Sequence, residues 1–402
     1  MDRDRLCEAL ALAETSFGLT EPNPRVGCVI GFDDGRVIGR GATQQAGGPH
    51  AEVMAIRDAQ AKGAVLKGAT AWVTLEPCAH HGRTPPCCDA LIAAGIGRVV
   101  AAIGDPFPQV DGAGLARLRA AGVDVVMASA DRADADRADG ASAANTNSAD
   151  ADIAQAARNI NIGFFSRVQR GRPWVRLKVA ASLDAVTALH NGQSQWITGE
   201  AARHDGHRWR KRSSAVLTGI GTVLADDPRL DVRHVETPRQ PDVIVVDSHL
   251  RLPPGARLLQ PPARVQVFTA ADPTQAGKAA PAAVVQALRN SGATLHHLPG
   301  PDGRVDLPAM LRQLAQSGVN ELHVEAGAVL NGALLAAGLV DELLIYLAPR
   351  LLGPGRPWAA SPVLQTLAGG IDLQLQDLRM IGNDIRILAR PIRSTAAGDD
   401  SR

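Results

Sequence analysis

Residues 128–152 of this 402-residue chain contain no apolar side chain larger than alanine. The run, ASADRADADRADGASAANTNSADAD, is mostly alanine and aspartate. Such a segment buries too little surface to offset the entropy of ordering it. Its Asp, Asn, Ser and Gly content also opposes a stable helix. The sequence therefore predicts a flexible insertion with a separate core on each side. Chain length agrees, because single cores stop growing at about 250–300 residues. The expected layout is a first domain over 1–127, a linker over 128–152, a second domain over 153–393 and a disordered tail over 394–402.

Both flanks alternate strand and helix patterns, which places the chain in the α/β class. Ahead of the gap, helices are expected over 1–16, 50–63, 86–94 and 115–121. Strands are expected there over 26–30, 37–41, 69–75, 98–103 and 123–127. That order predicts a three-layer sandwich around a largely parallel sheet. Behind the gap, a strand from 174 leads into helices over 200–212, 276–291, 307–317 and 329–337. Strands are interleaved over 214–218, 243–246, 265–269, 321–325, 342–348, 373–378 and 384–388.

Composition removes several function classes. The formal net charge is +1, whereas a nucleic-acid partner wants a clear basic excess. The five cysteines, Cys7, Cys28, Cys78, Cys87 and Cys88, are odd in number and include an adjacent pair. That is a poor disulfide framework and suits a reducing compartment. The N-terminal apolar stretch is interrupted by Glu8 and Glu14, so it reads as an amphipathic helix rather than a signal peptide. No run approaches the roughly 18–20 apolar residues of a membrane span. A cytoplasmic protein without nucleic-acid or membrane partners is expected.

Three pieces of the first half carry chemistry: His50-Ala51-Glu52, Glu76-Pro77-Cys78 and Pro86-Cys87. One histidine and two cysteines suit a tetrahedral zinc with one open position, the layout of a catalytic site. The open position holds a water whose pKa zinc lowers to about 7. Glu52, two residues beyond His50, can take that water's proton and pass it to a leaving nitrogen. Cys87 sits at a predicted helix start, where the dipole favours a thiolate. Cys88 is the alternative to Cys87 or a fourth ligand, and successive helical residues pointing about 100° apart argue against both reaching one metal. The set predicts one Zn2+ per chain.

HAE with PC and a later Cys resembles the cytidine deaminase-like superfamily, and TLEPCAHHGRTPPC over 74–87 resembles its riboflavin-biosynthesis pyrimidine deaminases. In that subgroup the second cysteine lies nine positions after the first, which selects Cys87. PNPRVGCVI and GDPFPQVDGAGL fit the same subgroup. The resemblance implies a phosphorylated diaminopyrimidine substrate, with Asn23 bonding the pyrimidine and His80 and Arg83 near the substrate and its phosphate. Thr43 and Gln45 stand where family members often carry His and Arg. A nucleic-acid base deaminase is the rival. The missing PCxxC and the 12 aromatic residues in all speak against it.

The second half is quieter. Thr218–Thr222 and Glu325–Gly332 are glycine-containing segments that leave predicted strands, a geometry that suits a pyrophosphate at a helix start. With LKVAASLDA and GQSQWIT they resemble the dihydrofolate reductase-like reductase domain of bifunctional riboflavin-biosynthesis proteins. The resemblance implies NADPH at Ala180, Trp196, Thr222, Asp226, Ser248, Gly327, Ala328, Val329, Leu330, Asn331, Gly332 and Ala333. It implies substrate at Ser194, Arg210, Leu230, Arg233 and Glu325, with Lys178 and Asp184 as candidate catalytic groups. A working deaminase with an inactive reductase-like domain is a further rival, which the intact Arg210, Arg233 and Glu325 disfavour. A homo-oligomer is expected.

Overall fold

The computed structural model describes residues 1–80, 85–108, 110–128, 148–260, 262, 264–274, 282–360 and 363–392. The chain divides into two compact units, Met1–Gly171 and Arg172–Arg402.

In the first unit, strands β1 (Gly27–Gly31), β2 (Val37–Ala42), β3 (Thr70–Val73), β4 (Arg98–Ala101) and β5 (Asp124–Met127) form one sheet in the order β2-β1-β3-β4-β5. β1 runs antiparallel to both β2 and β3, and only β3, β4 and β5 are mutually parallel. The sheet is therefore mixed, where a largely parallel one was expected. The DDG segment makes a hairpin, and a hairpin reverses direction. Helix α1 (Asp2–Glu14) packs on one face and α2 (Ala51–Ala61) on the other. A Cβ on Gly27 would lie 1.9 Å from Ala9 O of α1, so that helix can approach β1 only over glycine. Helices α3 (Cys87–Ala93) and α4 (Ala113–Ala120) follow β3 and β4.

The boundary between the units differs from the expected one. Residues 129–147 lie outside the described residues, but Ser148–Ile160 is a helix, α5, and Ile162–Arg170 is another, α6. Ile153, Ala154, Ala157 and Ile160 recur at helical spacing and are buried in the first core beside α1, as are Phe164 and Phe165 of α6. Residues 153–171 therefore belong to the first unit rather than the second, and the predicted linker ends in helix. A low-complexity run in the sequence does not say which core the next helix joins. Asn161 fastens the pair: its Oδ1 accepts from Arg25 N at 2.7 Å and its Nδ2 donates to Arg25 O at 2.8 Å. The predicted tail, 394–402, lies outside the described residues.

The second unit is built on a nine-stranded sheet in the order β11-β10-β9-β8-β12-β6-β13-β16-β15. These strands are β6 (Trp174–Ser182), β8 (Ala215–Gly219), β9 (Asp242–Val246), β10 (Val265–Thr269), β11 (Thr294–His297), β12 (Glu321–Val324), β13 (Glu342–Ala348), β15 (Leu373–Ile381) and β16 (Asp384–Pro391). From β11 to β13 neighbours are parallel, and a β15–β16 hairpin adds an antiparallel edge. Short strands β7 (Val186–Ala188) and β14 (Arg356–Pro357) pair separately. The helices are α7 (Glu200–Arg212), α8 (Ile220–Asp226), α9 (Ala282–Asn290), α10 (Leu307–Gln316) and α11 (Ala328–Ala336). Among the described residues no helix is long and apolar enough to cross a membrane.

Candidate active sites

His50 is the residue before α2, with φ −79° and ψ 169°, so its ring stands at the helix start. Cys87 is the first residue of α3, and Cys78 lies in the loop after β3. Their ligand atoms all fall within 4.8 Å of one another. His50 Nδ1 is 3.1 Å from Cys87 Sγ and 3.7 Å from Cys78 Sγ. Two thiols and one imidazole at this spacing fit a tetrahedral zinc with a position left over. Cys88 is not part of the set, since its thiol donates to Cys78 O at 3.1 Å.

The electrostatics fit a dication. The hydrogen bond from Cys87 pulls Cys78 down to about 4, while sharing that proton pushes Cys87 up. The pair thus keeps one proton between two sulfurs, and metal binding expels it. Burial pushes Glu52 up to about 7, and the Cys78 thiolate adds to the rise. Glu52 is 3% exposed and is the acidic residue in the first turn of α2.

Above these residues lies a cavity of about 360 Å³ lined by Asn23, Thr43, His80, Asp105, Phe107, Phe164 and Arg167, among others. Asn23 and His80 thus both line this cavity. Arg83 lies outside the described residues. Thr43 lines the wall, but its hydroxyl is bonded to the backbone of Val26.

Sequence reasoning singled out Glu76-Pro77-Cys78 but gave Glu76 no role of its own. Glu76 is buried, and its carboxylate accepts four backbone N–H bonds: Asp105 at 3.3 Å, Gly112 at 3.1 Å, Gly114 at 3.0 Å and Leu115 at 3.3 Å. It ties the Cys78 loop to the start of α4. A Cβ on Gly114 would lie 1.9 Å from Pro77 O, so only glycine lets the two segments meet. The EPC motif and the GDPFPQVDGAGL stretch were both visible, but nothing in either named the other as partner.

The second unit holds a larger cavity, about 790 Å³, at the carboxyl ends of β6, β8, β9 and β12. Ligands of open α/β sheets bind at that edge. Its wall includes Lys178, Ala180, Ser194, Thr222, Asp226, Ser248, Glu325, Ala333 and the run Gly327–Asn331. Gly327 caps α11, so that helix points its N–H groups at the cavity. Glu325 accepts a bidentate pair from Arg210, at 2.5 Å to Nε and 2.9 Å to Nη2, and lies 3.8 Å from Lys178 Nζ. Burial raises the Glu325 pKa, but Arg210 and Lys178 win and hold it well below the usual range. Burial also lowers Lys178, with Glu325 opposing.

Other expected residues fall elsewhere. Trp196 is 61% exposed, lies under the Arg203 guanidinium at 4.5 Å and is not in the cavity wall. Gly332 serves packing, since a Cβ there would lie 2.1 Å from Ala360 O. Leu230 is buried at φ 56°, and Arg233 pairs with Asp231 at 2.8 Å; neither lines the cavity. Arg210 stands behind Glu325 rather than in the wall. The Asp184 carboxylate accepts from Ser182 Oγ and from Leu352 and Gly353 N–H, so it clamps loops instead of reaching the site. Conversely, His249, Arg251, Arg304 and Arg356 line the cavity and were not foreseen. Buried His323, 3.4 Å from Glu325, was missed too.

Comparison with known proteins follows the same division. A model of the cytidine and deoxycytidylate deaminase zinc-binding region matches residues 1–103, and one of the RibD C-terminal domain matches 173–387. The riboflavin biosynthesis protein RibD of Escherichia coli is 42% identical over 397 residues, covering 96% of this chain and 98% of that one. The structure of Acinetobacter baumannii RibD superposes with a TM-score of 0.81 at 37% identity, covering 98% and 99% of the two chains. A Thermotoga maritima diaminohydroxyphosphoribosylaminopyrimidine deaminase/5-amino-6-(5-phosphoribosylamino)uracil reductase gives 0.80 at 31% identity, covering 98% and 99%.

Proposed function

Because the chain belongs to the RibD family of riboflavin-biosynthesis proteins, with a deaminase and a reductase domain, we propose how its two cavities divide the work. The first deaminates 2,5-diamino-6-ribosylamino-4(3H)-pyrimidinone 5′-phosphate. The second reduces the ribosyl group of the product to ribityl with NADPH, giving 5-amino-6-ribitylamino-uracil 5′-phosphate. The observation that carries this reading is the convergence of His50, Cys78, Cys87 and Glu52 at a cavity that Asn23 and His80 also line.

Zinc, when bound, supplies a water acidic enough to attack at neutral pH. The chain's own residues do the rest. Glu52, uncoordinated beside the ligands, takes the water's proton as oxygen adds to the C2 carbon. It returns the proton to the amino nitrogen, the C–N bond breaks and ammonia leaves. Asn23 orients the pyrimidine, and Glu76 holds the wall in register through its four backbone bonds.

NADPH, when bound, supplies the hydride for the second step. The start of α11 and Thr222 suit its pyrophosphate. Ser248, with Arg251 and Arg304 in the same wall, suits a phosphorylated ribose and supports NADPH over NADH. Glu325, fixed by Arg210, holds the sugar hydroxyls. Lys178 gives a proton to the ring oxygen as the sugar opens and C1′ accepts hydride.

Two wider readings go with this. The apolar edge strand β15, with Leu375, Leu378 and Met380 exposed, supports pairing with a second copy. The five free cysteines suit the cytoplasm. The deciding experiment is a coupled assay on zinc-loaded protein, following NADPH absorbance with wild type and Glu52→Gln. Wild type should consume NADPH, and the variant should do so only with pre-deaminated substrate. Ammonia release without NADPH oxidation would sink the second half of the reading.

A further inference from the structure

The second cavity owes one stretch of its wall to a short loop. β9 ends at Val246, and the chain then turns back on itself over residues 247–252. Leu250 N donates to Asp247 O at 3.3 Å, and Leu250 sits at φ 50°, a region that residues other than glycine seldom occupy. The loop sorts its side chains. Leu250 and Leu252 are buried in the core beside β9, whereas Ser248, His249 and Arg251 line the cavity. A turn this tight cannot satisfy its own N–H groups, so it needs an acceptor from a side chain.

Asp247 supplies that acceptor. Its side chain is fully buried and does not line the cavity. Oδ2 accepts from Leu252 N at 2.7 Å, the one well-aligned donor among the described residues, and Oδ1 is shut off from solvent without one. Burial raises the carboxyl's pKa, and the N–H groups of Leu252, Arg251 and His249 oppose that rise. The loop is tied on two further sides. Ser248 O accepts from Ala271 N at 3.0 Å and from Thr269 Oγ1 at 3.3 Å, at the end of β10. Ser248 Oγ accepts from Val305 N at 3.3 Å, which leaves the hydroxyl proton to donate. The same bond brings Arg304, next to Val305, onto the wall that Arg251 lines.

We infer that Asp247 is the positioning residue for the cofactor's 2′-phosphate: by holding residues 248–252 in their turn it aims Ser248 and Arg251 at that phosphate and sets the preference for NADPH over NADH. This inference deepens, and rests on, the NADPH reading of the second cavity. Asp247 touches no ligand itself. A carboxylate in the wall would repel a phosphate dianion, but a buried one turned to backbone N–H groups acts only through the loop it orders. The start of α11 and Thr222, which suit the pyrophosphate, belong to other elements of the wall. Loss of Asp247 is therefore felt at the 2′-phosphate first.

The test uses the full-length chain as wild type, Asp247→Ala and Asp247→Asn, with NADPH and NADH titrated by fluorescence. Wild type should prefer NADPH. Asp247→Ala should cut the ratio of affinities, NADPH over NADH, by about 10- to 100-fold, the worth of a charge-assisted phosphate contact, with NADH binding moved by less than about threefold. Asp247→Asn keeps one oxygen for Leu252 N and should recover part of the ratio. As a probe, 2′,5′-ADP should displace NADPH from wild type and do so far less well on the Ala variant. Hydrogen exchange over 248–252 in wild type needs no substitution: 2′,5′-ADP should slow it, and 5′-ADP should not. Should Asp247→Ala not fold by circular dichroism, the Asn variant decides, and its ratio must still fall by about threefold or more. In a folded variant, equal losses of NADPH and NADH would make Asp247 a residue of the fold alone, and an unchanged ratio would show that the loop keeps its shape without it; either overturns the inference. A wild type that binds NADH as tightly as NADPH overturns the cofactor reading itself, which the wild-type arm separates from a failure of Asp247 alone.

Discussion

Replacing Glu76 by glutamine changes one atom's chemistry and removes no volume, yet it should loosen the first site locally. The wild-type carboxylate accepts four backbone N–H bonds, two on each oxygen. A bond to a charged acceptor contributes about 1.5–3 kcal/mol, so four amount to about 6 kcal/mol at the low end. Glutamine keeps one acceptor oxygen and two neutral bonds of about 1 kcal/mol each. Its amide NH2 is itself a donor and faces the other two N–H groups with no lone pair to accept them. The difference is about 4 kcal/mol, close to three decades in a local opening equilibrium. Hydrogen exchange read by mass spectrometry over 104–120 should accelerate by about that factor, capped by the global stability of the unit. The Cys78 loop loses its tether as well, so zinc affinity measured against a chelator should drop about 10- to 100-fold. Exchange within a few-fold of wild type, with zinc affinity intact, would refute the idea that this carboxylate organises the wall.

Other expectations follow from particular contacts. Cys87→Ser should abolish stoichiometric zinc binding, whereas Cys88→Ser, whose hydroxyl can still donate to Cys78 O, should retain it by metal analysis. The double substitution Arg251→Ala with Arg304→Ala should weaken NADPH binding about 10- to 100-fold and leave NADH binding within about twofold, measured by fluorescence titration. Equal weakening of both would place the 2′-phosphate elsewhere. His207 is driven down to about 3 by burial, then by Arg210 and Arg233, so it is neutral in the folded protein. Its unfolded form takes up a proton below about 6.5, so stability is full above that pH and falls as pH drops toward 3. His207→Gln should flatten that fall, by at most about 2 kcal/mol at pH 4.5 after allowance for partial solvent exposure, in urea titrations at pH 7 and 4.5. Substituting lysine for Leu378 and Met380 on the β15 edge should shift the sedimentation coefficient toward a single chain.

The chemistry of the first site was legible because its residues are scarce types at fixed local spacing. His50 and Glu52 share one helix start, and Cys78 and Cys87 bracket one loop. What was not legible was complementary structure supplied from a distance. The partners of Glu76 are backbone N–H groups 29 to 39 positions away, and a backbone donor leaves no mark in the residue alphabet. Arg167 reaches the site from beyond a segment that sequence reasoning had treated as the end of the domain. Similarly, Asp184 looked catalytic because it is a charged residue in a recognised stretch, but Leu352 and Gly353 use it as a clamp.

Glu76 and Glu325 show why distance decided which residues could be read. Glu76 is a buried carboxylate and Glu325 a largely buried one in a cavity wall, and each must have its charge answered within its own unit. Glu76 is answered by backbone at the start of α4, so its surroundings tolerate many side chains and look unremarkable in sequence. Glu325 is answered by the side chains of Arg210 and Lys178, which are charged and therefore visible as candidates. The two sites should accordingly fail in different ways. Neutralising Glu76 releases a loop, and the loss spreads to the metal. Neutralising Glu325 removes the carboxylate that answers Arg210 and Lys178 beside the cavity, leaving Arg210 its bond to Asp231 O, at a cost below the roughly 3–5 kcal/mol of breaking a fully buried pair. A global unfolding transition should therefore report Glu325→Gln strongly, whereas Glu76→Gln should be seen first in local exchange.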